Sequence, residues 1–135
     1  MQEPDDLSRM ADFLYGNGVH LDGCELEEKA AMAEVRRRYP HKPFCLVRRW
    51  MLVDLLVAEQ TLTGIQASGR LPLLVFAHEV VFDSAGRFAP GDWVRSSLCI
   101  TCPEDGFFET GNTVYVLLGD GCTKQADYKL LFSIH

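Results

Sequence analysis

The chain has 135 residues, 47% hydrophobic and 24% charged, with 19 acidic against 13 basic side chains and a formal net charge of −6. That composition suits one globular domain burying roughly two thirds of its unfolded surface, and it excludes disordered and fibrous classes. The acid excess argues against a general nucleic-acid coat, which needs a basic footprint.

In chain order, "PDDLSRMADFLY" (4–15) reads as a helix with Pro4 at its first position and Asp5 and Asp6 complementing the dipole. Leu7, Met10, Ala11 and Leu14 form its apolar stripe, and "GNG" (16–18) is expected to end it in a left-handed cap. A second helix is expected over 25–39, opened by Glu25, Glu27 and Glu28 and closed by Arg36, Arg37 and Arg38, with Ala31, Met32, Val35 and Tyr39 on its buried edge. The three arginines then belong to a helix terminus before they belong to an anion site.

"PFCLVRRWMLVDLLV" (43–57) reads as a strand with a bulge near the Arg48–Arg49 pair, a buried helix being the alternative that a short apolar run leaves open. A short helix at 58–69 capped by Gly69 follows. Beyond it come strands at 73–82, 92–101, 112–118 and 128–134, with turns at "DSAG" (83–86), Pro90–Gly91, "PEDG" (103–106) and "GDG" (119–121). The expected architecture is a single α+β domain over 1–135, helical over 1–40 and mainly β over 41–135. About five antiparallel strands form a strongly curved, SH3-like half-barrel, covered by two to three helices.

Chemistry-bearing motifs are sparse. The five cysteines, Cys24, Cys45, Cys99, Cys102 and Cys122, are odd in number and scattered, which reads as reduced and mostly buried thiols rather than a disulfide framework. Cys99-Ile-Thr-Cys102 lacks a second pair for zinc, and in a strand its thiols point to opposite faces. His20, His41, His78 and His135 are well separated, and no nucleophile elbow, zincin helix or phosphate loop is present. No catalytic residue, metal or cofactor is therefore assigned.

Tryptophan and arginine, the side chains enriched at binding hot spots, make the other candidate set. Trp93 and Arg95 share one strand face, Arg48 and Arg49 lie together, and Phe107 and Phe108 sit in an acidic edge with Glu109, one ring of the two looking outward. The binding candidates are thus Trp93, Arg95, Arg48, Arg49, Phe108 and Glu109. The reading that competes for Trp93 is a core position.

"FLYGNG" (13–18), "CLVRRW" (45–50), "FAPGDWVRSSL" (88–98) and "FFETGNTVYVLLGDG" (107–121) together resemble a family of small uncharacterised bacterial proteins, of pseudomonad type and phage or prophage neighbourhood. A family of unknown function transfers no catalytic residues. It implies a non-enzymatic accessory protein that binds a host protein complex, a class that includes defence inhibitors of anti-CRISPR type. Gly111 departs from that family's pattern, where a longer side chain is expected, and places a turn inside one strand. The "GDWVR" element is similar to the strand openings of SH3-like barrels, a likeness of fold alone. A nucleic-acid-binding small barrel and a small thiol-dependent enzyme are the alternatives, and an open sheet edge leaves room for a homodimer. No apolar run reaches about 20 residues, and the acidic N-terminus lacks the layout of a secretory signal, so a cytoplasmic protein without membrane contact is expected.

Overall fold

A computed structural model describes residues 5–101 and 105–127, as three helices and eight strands of one mixed sheet. The strand expected at 128–134 lies outside those residues, as do Pro4 and Cys102. The elements are α1 (Asp5–Tyr15), β1 (Val19–Asp22), α2 (Glu28–Arg38), β2 (Phe44–Leu56), α3 (Glu59–Ala67) and β3 (Leu73–Asp83). They are followed by β4 (Val94–Arg95), β5 (Cys99–Thr101), β6 (Phe107–Thr110), β7 (Val114–Leu117) and β8 (Asp120–Asp127).

β2 is the axis. On one side it pairs antiparallel with β3 along nearly its whole length. On the other it pairs in parallel with β7 over Phe44–Val47 and then with β8 over Met51–Leu56. The change of neighbour falls at Arg48–Trp50, and Arg49 has a φ of 54°, the left-handed region. The register irregularity against β3 falls between Leu46 and Val47 rather than at the arginine pair; Arg49 is instead a pivot, across which the side-chain phase reverses. Phe44 and Leu46 face α2 while Cys45 and Val47 face the opposite cluster; past Arg49 it is Trp50 and Leu52 that join that cluster, and Met51, Val53 and Leu55 that face α1.

The expectation of about five antiparallel strands is corrected to eight in a mixed sheet that is not closed, and an SH3-like arrangement is not confirmed. The sequence reading missed three elements, of which β1 and β8 pair only with strands distant in sequence, where hairpin spacing leaves no signal. β1 lies inside the stretch read as helical and pairs with β8. β6 fills the "FFET" segment. β8 starts where a hairpin turn was expected at "GDG"; instead of folding back on β7, the chain runs on along the same flank of β2. The strand expected over 92–101 is two, because Ser96 hooks onto β3. Its amide donates to the Val75 carbonyl at 2.8 Å and its hydroxyl accepts from the Val75 amide at 2.8 Å.

Apolar side chains cover both faces of the sheet. α1 buries Phe13 against Met51, Val53 and Phe76, so Phe13 rather than the exposed Ala11 is the centre of its stripe. No left-handed cap ends α1. Lys124 does so by donating to the carbonyls of Phe13 (2.5 Å) and Gly16 (2.7 Å), cations at helix C-termini being favoured by the dipole. α2 buries Ala31 and Val35 on Phe44 and Leu46, as its periodicity predicts. The opposite cluster draws Val94 of β4 and Cys99 of β5 onto β2 and β7. Because both faces are covered at β6, neither Phe107 nor Phe108 looks outward; Phe108 is 0% exposed.

Candidate functional site

The loop before β4 is built to present one side chain. Pro90 presets its own φ, and Gly91 takes a φ of 94°, the combination a type II turn requires. The Asp92 amide donates to the Ala89 carbonyl at 3.0 Å, and the Asp92 carboxylate accepts from the Ala89 amide at 2.9 Å. The turn is then tied to β3: the Val80 amide donates to the Asp92 carbonyl at 2.7 Å and the Gly91 amide to the Val80 carbonyl at 2.8 Å.

Trp93 leaves this turn 42% exposed, its ring stacked on Phe76 with centroids 5.4 Å apart at 18°. Phe76 meets His78 edge-on at 5.3 Å, and His78 stacks on Tyr15 at 5.6 Å. Period-two alternation puts Phe76 and His78 on one face of β3, and α1 delivers Tyr15 at its C-terminus, 74% exposed. Four rings thus form a row from Tyr15 to Trp93 with two wide-open ends. Stacked aromatic pairs contribute about 0.5–1.5 kcal/mol beyond burial, which holds the exposed rings in place.

Two hollows adjoin this row. One, of about 360 Å³, lies among Tyr15, Arg49, Phe76, His78 and Trp93. The other, of about 420 Å³, shares Tyr15, Arg49 and His78 and extends toward His20 and Cys122. Together they make one groove with Arg49 in its middle. His78 donates its Nε2 proton to the Leu14 carbonyl at 2.9 Å, since a carbonyl only accepts. Burial pushes the His78 pKa down, the Leu14 bond partly opposes this, and the charges of Arg49 and Lys124 lower it further.

The sequence candidates divide. Trp93 and Arg49 line the groove. Arg95 is half-buried and lies across from Phe76 in register, on the face of the row, which agrees with the shared face expected for Trp93 and Arg95. Arg48 parts from Arg49 and approaches Glu28 at 3.8 Å. Phe108 is core, and Glu109 is held by Lys42 at 2.6 Å and by the Thr101 hydroxyl at 3.2 Å. The acidic edge therefore presents neither side chain as expected. Trp50, the neighbour of Arg49 in sequence, is 2% exposed and donates its indole proton to the Leu118 carbonyl at 3.1 Å. Tyr15 and His78 escaped the sequence reading, although the Leu74–Phe76–His78 alternation carried a signal.

Elsewhere, the structure accounts for the arginine run at the end of α2. Arg37 and Arg38 pair with Glu34, Arg38 also with Asp105 at 2.7 Å, and Arg36 lies over Phe44. Cys24, Cys45 and Cys99 are buried, and the Cys99 thiol donates to the Thr101 carbonyl at 2.8 Å. Burial pushes the Cys45 thiol up to about 12, far from the thiolate that nucleophilic chemistry requires. The Cys99–Cys102 pair is not described, Cys102 lying outside the described residues. His20 Nε2 stands between Asp22 (3.5 Å) and Asp120 (3.3 Å), an exposed trio of metal-ligating types. Among the described residues no helix is long and apolar enough to cross a membrane.

A family model described as a domain of unknown function (DUF6957) matches residues 22–133, a span that includes Arg49, Phe76, His78 and Trp93 but begins after Tyr15. No curated protein and no solved structure matches the chain.

Proposed function

The chain belongs to that family of unknown function, and from its own surface we propose that it is a non-enzymatic protein that binds another protein stoichiometrically through the Tyr15–Trp93 row. The observation that carries this reading is Trp93, a large ring held rigidly on Phe76 yet 42% exposed at the mouth of a groove. A preorganised aromatic costs little entropy on binding, which is why such rings anchor interfaces. The burial of Cys45, which pushes its thiol pKa up to about 12, weighs against thiol catalysis there. The partner class we favour is a host protein complex, as for a cytoplasmic accessory protein of a phage or other mobile element, defence inhibitors of anti-CRISPR type included.

Affinity capture from host lysate at low and moderate salt tests this. A specific partner recovered by the natural chain and lost with Trp93→Ala is the expected result. Recovery of none, or of the same partner by both proteins, overturns it. The stacked rings also favour a second reading, base stacking by single-stranded nucleic acid. That reading requires quenching of Trp93 emission by an oligonucleotide at low salt. Self-association through the same row is read by sedimentation.

A further inference from the structure

Among the described residues, six positions take a positive φ in the left-handed range, and at five the residue is glycine: Gly69, Gly86, Gly91, Gly106 and Gly119. The sixth is Arg49. A backbone pivot alone is served best by glycine, since a Cβ in that conformation costs on the order of 1 kcal/mol or more. An arginine kept there points to a role for its side chain.

That side chain is exposed, and among the described residues no hydrogen bond or ion pair engages it. It lies where the two hollows meet, and neither hollow has an aspartate or glutamate among its lining residues. In a chain with 19 acids and 13 bases, a carboxylate-free groove around one unengaged guanidinium complements negative charge. The flanking rings of Tyr15 and Trp93 add an apolar, stacking component. The number of cations separates a carboxylate from a phosphate chain. Arg37, Arg38, Lys42 and Arg87 are paired with carboxylates, and Lys124, which also lines the larger hollow, is held by the carbonyls that end α1, so a run of phosphates finds one unengaged guanidinium here rather than a series. One carboxylate needs only the one guanidinium, which it can meet in a bidentate pair.

We propose that the Arg49 groove recognises an acidic peptide segment of the partner protein, with one carboxylate on the Arg49 guanidinium and a neighbouring aromatic side chain against the Tyr15–Trp93 row. This rests on the protein-binding reading above and names the chemistry of the segment bound.

The test is proton–nitrogen NMR of the full chain, titrated with acetyl-Gly-Asp-Phe-Gly-amide. The controls are the peptide with Asn for Asp, the peptide with Ala for Phe, and a short oligothymidylate. The Asp-Phe peptide is expected to shift the Trp93 indole resonance and leave that of buried Trp50 in place. The Asn peptide is expected to bind about tenfold more weakly or worse, the scale of a charge-assisted contact. Arg49→Gly is expected to abolish the preference for Asp while leaving the melting temperature unchanged or raised, because it relieves the backbone. Equal binding of the Asp and Asn peptides overturns the proposal. So does a retained preference in Arg49→Gly, a lowered melting temperature in that variant, or a response to oligothymidylate alone. If these peptides fail while Trp93→Ala still loses the captured partner, the acidic-segment inference falls and the docking reading stands.

Discussion

Gly121→Ala is the sharpest perturbation of the β2 pivot. A Cβ built on Gly121 stands 2.5 Å from Cε3 and 2.6 Å from Cε2 of Trp50, with Cδ2 also in contact. Carbon atoms settle at about 3.5–4.0 Å, so the indole must retreat by roughly 1 Å. Its exits are closed. Gly23 flanks the ring so tightly that a Cβ there falls 2.7 Å from Cζ2, and the indole N–H is held by Leu118. Overpacking of this kind costs about 1–3 kcal/mol, and a buried N–H pulled off its acceptor about 1–3 more. The sum, about 2–6 kcal/mol, is a large share of the roughly 5–15 kcal/mol that stabilises a domain. Urea unfolding followed by tryptophan emission is the assay, with Gly64→Ala as its control. Gly64 has no atom within 4 Å of a built Cβ and lies inside α3, so alanine there is expected to stabilise by about 0.4–1 kcal/mol. A Gly121→Ala protein within about 0.5 kcal/mol of the natural chain refutes the packing account of the pivot.

Asp83, its side chain fully buried, binds Arg87 through Nη2 at 2.8 Å and through the Arg87 amide at 2.7 Å. Burial alone raises its pKa, but the Arg87 hydrogen bonds and charge outweigh it and the net direction is down. The pair's stabilisation is therefore complete above the unfolded-state value and is lost as pH falls through the folded-state one. Asp83→Asn is expected to cost about 1–3 kcal/mol at neutral pH and to flatten the acid limb of a stability-versus-pH curve; an unchanged acid limb counts against the assignment. Lys124→Met is expected to fray the end of α1, seen as faster amide hydrogen exchange at Gly16, whose N–H is held by the Asp12 carbonyl at 2.7 Å. Unchanged exchange there removes Lys124 from the capping role. Iodoacetamide at neutral pH is expected to leave Cys45 unmodified in the folded chain and to reach it on unfolding; labelling of the native protein at Cys45 contradicts its burial.

Local chemistry was legible wherever a residue's neighbours in sequence are also its neighbours in space. α2 opens with glutamate and closes with arginine as its dipole favours, Gly69 caps α3, and the "DSAG" and Pro90–Gly91 turns form, while the irregularity expected near the Arg48–Arg49 pair falls between Leu46 and Val47. Trp93 was singled out by composition, and its turn makes it prominent. The site was half legible for the same reason. Tyr15 and His78 are 63 residues apart in sequence and meet only because α1 packs on the face of β3 that carries Phe76.

Composition, periodicity and turn residues were thus sufficient for the α+β class, the three helices and the strand at 73–83, while at 44–56 they left strand and buried helix both open. Parallel pairing left no such trace. β2 joins β7 and β8 across some 70 residues, and a parallel ladder imposes no turn or spacing that hairpin logic detects. Tertiary structure alone decided that both phenylalanines of "FFET" are buried and that the Arg48–Arg49 pair separates. It also left Trp93 outside while Trp50 went in. Burial depends on what covers a face, and here the covering elements come from the opposite end of the chain.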